Sequence, residues 1–255
     1  MKKPKTDSNK SLIVHPSSHP GERIAKRIAR SGLCSRREAE TWIEAGMVKV
    51  NGKVITSAAL NVTEADTVTV DNQKLKAKEP TRMWLYHKPT GLVTTHKDPE
   101  GRPTVFSALP TSMPRVISVG RLDLNSEGLL LLTNDGELAR KLELPSNAWI
   151  RRYRVRVFGD ITPRMIAEMK KGIVSKGVHY GSIEAIVDKQ QGDNCWLTVA
   201  LKEGKNREIR KVFDHFGCKV SRLLRLSYGP FVLGSLPKGE LKEVPAKTIE
   251  SFIGK

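Results

Sequence analysis

The stretch at residues 118–136, SVGRLDLNSEGLLLLTNDG, constrains the fold of this chain more than any other. An apolar run leads into Gly120, a short polar loop carries Arg121, Asp123, Asn125 and Glu127, and Gly128 opens a second apolar run. Asn134-Asp135-Gly136 then turns the chain. Short apolar runs bounded by turn signals read as buried strands. Two such strands joined by a polar loop form a scaffold that displays reactive groups. Asp123 sits between Leu122 and Leu124, so its carboxylate is expected at the rim of an apolar pocket. Desolvation there works against the charged form, and a nearby arginine would sustain it, as a nucleophile or base requires.

Around this stretch the periodicity is mixed. Residues 83–87, 115–119, 129–133, 152–158, 195–201 and 220–226 read as strands, and 137–142, 163–170 and 207–216 as helices. Strands dominate and helices do not alternate regularly with them, so the expected class is α+β with a mainly antiparallel sheet. In RRYRVRV, at 151–157, strict alternation puts Tyr153, Val155 and Val157 on one face and Arg152, Arg154 and Arg156 on the other. The tyrosine is expected on the buried side. The arginines then face solvent or phosphate. In NREIRKVFDHFG, Ile209, Val212, Phe213 and Phe216 make a core face, Asn206 is the expected N-cap, and Arg207 and Arg210 lie one turn apart near the helix start.

The N-terminal part reads differently. Residues 1–20 are rich in Lys, Ser, Pro and His and are expected to be a disordered tail. From 21 to 72 a compact unit is expected. Ile24, Ala25, Ile28 and Ala29 mark one face of a first helix, and Arg23, Lys26, Arg27 and Arg30 the other, with Gly32 beyond its end. Ser35 and Glu38 form a capping box for a second helix that buries Ala39, Trp42 and Ile43. Arg36 and Arg37 fall in its first turn, where the helix dipole disfavours cations by a few tenths of a kcal/mol. Something else must favour them, and phosphate is the obvious candidate. Val48 and Val50 lead to Asn51-Gly52, a two-residue hairpin signal, with Val54-Ile55 on the return and Val68 and Val70 in a further strand. Residues 73–80 are polar, Lys-rich and end in proline, which is linker composition, and 81–255 form the second domain.

A formal net charge of +17 over 255 residues implies a polyanionic partner. A membrane surface is a weaker reading, because the charges spread over helices, strands and turns alike. The three cysteines include no C-x-x-C pair, which argues against both a zinc site and a disulfide framework and for reduced thiols. Leu12-Ile13-Val14 is too short for a signal-peptide core, and no stretch approaches the ~20 apolar residues of a membrane span. A cytoplasmic location is expected.

Four segments together resemble a known family. GRLD followed by GLLLLTNDG is similar to the second motif of the A-type (small-subunit) and B-type (large-subunit) ribosomal pseudouridine synthases. KPTG at 88–91 resembles their first motif, EGKNREIRK at 203–211 their third, and SRLLRLSYGPF the segment that follows it. The asparagine in KNREIR looks more like the B-type, large-subunit branch, and DLNS departs mildly from the commoner threonine after the aspartate. The N-terminal unit resembles the alpha-L RNA-binding domain of S-four type, which a small-subunit ribosomal protein and tyrosyl-tRNA synthetase also carry. The resemblance spans about residues 22–235 and implies such a domain followed by a mainly antiparallel, mixed-sheet catalytic domain. It implies Asp123 as the catalytic carboxylate, Tyr153 as the residue that stacks on uracil, and Arg210 as the partner of Asp123. Arg23, Lys26, Arg27, Arg30, Arg36 and Arg37, with Lys88, Arg121 and Arg207, are then the expected RNA contacts.

The implied substrate is ribosomal RNA, of the large subunit on the branch resemblance, with no cofactor, metal or membrane required and a monomer expected. Two other classes stay open. A non-catalytic RNA-binding assembly factor would need the basic domain but not Asp123, and a nuclease or glycosylase would release a product. A Mg²⁺ site on Asp123, Glu127 and Asp135 lacks paired-carboxylate spacing, and the six histidines form no H-x-x-H cluster.

Overall fold

The computed structural model describes residues 21–253, so the expected N-terminal tail lies outside the described residues. The described chain divides into two compact units, one ending at Pro80 and the other beginning at Thr81.

In the first unit β1 (Glu22–Arg23) leads into α1 (Ile24–Arg30), and α2 (Arg36–Glu44) follows. The capping box on α2 is present in both directions. Ser35 Oγ accepts from the Glu38 N–H, and the Glu38 carboxylate accepts from the Ser35 N–H. Next come β2 (Val48–Val50), β3 (Lys53–Ile55), β4 (Asn61–Val62), β5 (Val68–Val70) and β6 (Gln73–Lys74). Asn51 and Gly52 both take the positive φ that a tight hairpin needs, and β2 pairs β3 with Val48 opposite Ile55. Ile24, Ile28, Ala39, Ile43, Val48 and Val68 form the core of the unit, and Trp42 packs on it partly buried.

The expected linker is shorter than its composition implied. Asp71 and Asn72 both adopt positive φ and turn the chain, so that Gln73 and Lys74 pair with β5. Leu75 then packs on the small core. Asp-Asn is a less familiar turn pair than Asn-Gly, and the lysines around it masked the strand.

In the second unit β7 (Met83–Lys88), β8 (Ile117–Val119) and β9 (Glu127–Thr133) precede α3 (Gly136–Glu143). The chain continues through β10 (Arg151–Phe158), α4 (Pro163–Lys171), β11 (Ile173–Ser175), β12 (Val178–Tyr180), β13 (Ile183–Gln191) and β14 (Asn194–Leu201). It closes with α5 (Glu208–His215), β15 (Lys219–Tyr228), β16 (Phe231–Val232), β17 (Leu241–Glu243) and α6 (Ala246–Ile253). One nine-stranded sheet organises it, with the path β13-β14-β10-β15-β9-β7-β17 and with β8 on β9 and β16 on β15. Every pairing in it is antiparallel except β15 with β9. The class is therefore α+β with a mixed, mainly antiparallel sheet.

That parallel pairing joins the two halves of the sheet and depends on one glycine. Gly128 lies opposite Arg225 at φ +103°, and a Cβ there would come within 2.4 Å of the Arg225 carbonyl oxygen. Only glycine lets β9 approach β15 this closely, immediately after the loop that carries Asp123. No described helix is long and apolar enough to cross a membrane.

Candidate active site

The loop between β8 and β9 is held by its own backbone carbonyls, five in a row. Leu122 O accepts from Thr94 Oγ1 at 2.8 Å, and Leu124 O from the Gly91 N–H at 2.9 Å. Asn125 O accepts from Arg210 Nη2 at 2.8 Å. Lys88 Nζ donates to Asp123 O at 3.1 Å, Ser126 O at 2.9 Å and Pro89 O at 2.9 Å. A loop with five consecutive carbonyls engaged has little freedom, so the side chain it presents is pre-positioned.

Lys88 corrects the expectation that it contacts RNA. It has no exposed surface, because it ends β7 on the side of the sheet facing the larger core and its ammonium lies under the loop. Burial lowers its pKa to about 8, against the pull of the Asp123 and Glu127 carboxylates, with Arg225 lowering it further. The KPTG segment thus acts through Lys88 and Gly91 as the support of the Asp123 loop.

Asp123 itself opens into a cleft of about 80 Å³ that Tyr153, Leu201, Ile209 and Leu223 also line. A wider opening of about 320 Å³ adjoins it, bordered by Thr94, Thr95, Asp98, Arg102, Arg121, Lys205 and Arg207. Tyr153 is buried on the inner face of β10, with Val155 and Val157 beside it. Arg121 is exposed at the rim. Carboxylate, aromatic ring and cations therefore meet at one cleft, although they come from four separate segments.

The direct Arg210–Asp123 ion pair is corrected. The nearest cation to the Asp123 carboxylate is Arg207, with Nη1 3.8 Å from Oδ2. Arg210 instead spans the elements around the loop, donating to Val220 O at 2.9 Å as well as to Asn125 O. Burial and the Arg207 charge lower its pKa, and Asp123 acts against them, so Arg210 feels the carboxylate without bonding it. The expected N-cap is also different. Arg207, at φ 51°, occupies that position, while Asn206 Oδ1 accepts from Lys211 Nζ. The left-handed backbone at Arg207 is unusual for a side-chain-bearing residue, and it swings the guanidinium towards Asp123.

Glu127 and Asp135 are committed elsewhere. Glu127 is buried and pairs with Arg222 and with Lys238, the latter at 2.7 Å. Asp135 caps α3 by accepting from the Glu137 and Leu138 N–H groups. Sequence reading missed Glu208, whose buried carboxyl sits at the start of α5 against Glu203. Burial first, then Glu203, pushes its pKa up to about 7. A glutamate one residue after Arg207 looks like an ordinary helix-start acid, and nothing local signals its burial.

Of the N-terminal cations, Arg36 and Arg37 are exposed. Arg30 pairs with Glu22 at 2.6 Å, Arg27 with Glu64 at 3.2 Å, and Lys26 with Glu22 at 3.8 Å. Arg23 donates to the Ala59 carbonyl.

Comparison with known proteins identifies both units of the chain. Residues 82–215 match the family of RNA pseudouridylate synthases, and residues 22–68 match the S4 domain. The uncharacterized RNA pseudouridine synthase of Rickettsia bellii is 49% identical over 226 residues, covering 89% of this chain and 98% of that protein. Ribosomal large subunit pseudouridine synthase B of Haemophilus influenzae is 41% identical over 247 residues, covering 93% and 69%. A crystal structure of a pseudouridylate synthase superposes with a TM-score of 0.65 at 25% identity, covering 91% of this chain and all of that one. The chain belongs to the RNA pseudouridylate synthase family, as an isomerase with an S4 domain ahead of its catalytic domain.

Proposed function

We propose that this enzyme converts a specific uridine of ribosomal RNA to pseudouridine, with Asp123 as the catalytic carboxylate. Large-subunit RNA is the proposed substrate, in keeping with the relatives named for that subunit. The observation that carries the reading is the convergence of Asp123, Tyr153 and Arg207 on one small cleft, with the Asp123 backbone immobilised beneath. The reaction breaks the uracil–ribose bond, turns the base and rejoins it through carbon, and it conserves every atom of the substrate. It calls for a carboxylate at the sugar–base junction and a nucleotide flipped out of the RNA into the cleft. Tyr153 would stack on the flipped base. Arg207 would neutralise the carboxylate across the cleft, and Arg210 would hold the loop through Asn125. Attack on the sugar, attack on the ring and proton removal from the ribose all remain roles a carboxylate in this position can perform. A bacterial enzyme acting on ribosomal RNA would work in the cytoplasm.

Asp123→Asn keeps the shape of the side chain and removes its charge. It should abolish pseudouridine formation and leave RNA affinity within about threefold, since the RNA contacts proposed here lie on other residues. Mapping pseudouridines in ribosomal RNA from a deletion strain, with and without the Asn variant restored, tests both the site and the chemistry. Activity within tenfold of wild type removes Asp123 from the mechanism.

A further inference from the structure

The two faces of the catalytic sheet are covered unequally. One face is buried along its whole path by the larger core, from Trp84 and Leu130 to Val155, Leu197 and Ile183. The opposite face is covered over β7, β9 and the second half of β15, where Leu138, Trp149 and Ile249 join a cluster with Met83, Leu129, Leu131 and Tyr228. Over β14, β10 and the first half of β15 it is open. Arg152, Arg154 and Arg156, the exposed alternate residues of β10, all stand there.

Cross-strand register places Arg156 between Trp196 on β14 and Arg222 on β15. The Arg154 and Arg222 guanidinium carbons lie 5.2 and 5.9 Å from the Trp196 ring centre, so the indole is in cation–π range of two arginines. Arg222 is neutralised by Glu127, but Arg152, Arg154 and Arg156 take part in no ion pair among the described residues. Arg156 stands directly opposite Arg222, a like-charge neighbour that strand pairing does not favour. Phe158 extends the same face and is 53% exposed. Arginines without ion-pair partners at every second residue of β10, around a partly exposed tryptophan, fit a polyanion whose phosphates accept paired N–H donors and whose bases stack.

We propose that this open face, built on Arg152, Arg154, Arg156 and Trp196, is a second RNA-binding surface. It rests on the reading that the enzyme modifies a large folded RNA. The sheet itself separates this face from the cleft of Asp123 and Tyr153. The RNA held here is therefore a different segment of the folded substrate from the one whose nucleotide is flipped. A short stem-loop reaches the cleft alone, whereas the full-length RNA reaches both.

The test is Arg152→Gln/Arg154→Gln/Arg156→Gln in the full chain, measured on two RNAs. One is a full-length unmodified large-subunit transcript, and the other a short stem-loop cut around the uridine located by the mapping above. The expected result is about tenfold weaker binding of the long RNA near physiological salt. The log–log salt slope should fall by roughly 2–3, at ~0.7–0.9 for each phosphate no longer neutralised. Turnover and affinity on the stem-loop should be unchanged, which also keeps a failure here distinct from a failure of the catalytic reading. The triple Lys variant retains the charge and should recover part of the affinity, so a fold defect in the Gln variant would not pass unnoticed. Unchanged affinity and slope on the long RNA overturn the proposal, and so does an equal loss on the stem-loop. Unchanged RNA binding together with lost binding to a protein of the assembled ribosome would reassign the face to an acidic protein partner.

Discussion

Lys88 is a charged side chain with no exposed surface, and three carbonyl oxygens account for it. Below its pKa of about 8 the ammonium supplies three N–H donors, one for each acceptor. Above it one donor is lost and a lone pair faces a carbonyl. The unfolded chain keeps this proton up to about 10.5, so between 8 and 10.5 the folded state binds fewer protons. This group alone then makes global stability rise with pH. Activity should move the other way, with kcat falling above about pH 8 while the protein stays folded, as paired pH–rate and thermal-unfolding profiles would show. Lys88→Met should remove that alkaline limb and leave the loop carbonyls without partners. A shift of the Asp123 carboxylate by ~1 Å is enough for about a hundredfold loss of kcat. RNA affinity should change little, because Lys88 touches only the protein. A large affinity loss with kcat intact would return Lys88 to the RNA surface.

The start of α5 is the element on which the placement of Arg207 depends, and it contains two carboxyl groups in contact. Glu208 accepts from the Lys205 N–H at 2.8 Å, and Glu203 takes the Lys205 ammonium and the Gly181 N–H. Burial works to raise the Glu203 pKa, but these donors together hold it below the ordinary value, while Glu208 is pushed up to about 7. The pair therefore keeps one proton near neutrality. Between the unfolded value near 4.5 and the folded value near 7, the folded state holds the extra Glu208 proton, so stability falls as pH rises across that window. Below about 4.5 the sign reverses, because protonating Glu203 forfeits its bonds to Lys205 and Gly181. Glu208→Gln fixes the neutral form. It should leave Tm unchanged at pH 5 and raise it by roughly 2–4 °C at pH 8, which corresponds to ~1 kcal/mol for a protein of this size. An unaltered decline of Tm between pH 5 and 7 in the variant would assign that slope to other groups.

At the scale of the whole molecule, the positive charge is unevenly available. Lys26, Arg27 and Arg30 on α1 are engaged by Glu22 and Glu64, whereas Arg36 and Arg37 stand exposed in the first turn of α2. Exposed ion pairs hold little energy, so RNA could displace Glu64, but each such contact begins with a competitor that Arg36 and Arg37 lack among the described residues. Arg36→Ala/Arg37→Ala should therefore lower the log–log salt slope of RNA binding by about 2, and Arg27→Ala/Arg30→Ala by less than about 1. Filter binding or anisotropy from 50 to 300 mM salt separates the two, and equal effects would mean that the glutamates yield freely to RNA.

Much of this architecture is legible along the chain because its causes are local. The Ser35–Glu38 box, the Asn51-Gly52 hairpin and the alternation of β10 each arise within eight residues of backbone or fewer, and all three form where they are expected. The GRLD loop and the order of the motifs likewise point to Asp123 without any fold. The strand β13 was not legible, because it is the outer strand of the sheet path and is exposed from Ile186 onward, which erases the period-two signal. Lys88 reads as a surface cation until β7 and β9 pair and bring the loop carbonyls over it, 35 and 38 residues away. The choice between Arg207 and Arg210 turned on a left-handed residue at the start of α5, and the proton on Glu208 on a desolvation that only packing creates. Sequence by itself determined which groups this protein carries and on which local elements. The tertiary structure alone decided which of them are buried and which meet, because burial and distant contact depend on how strands far apart in the chain come into register.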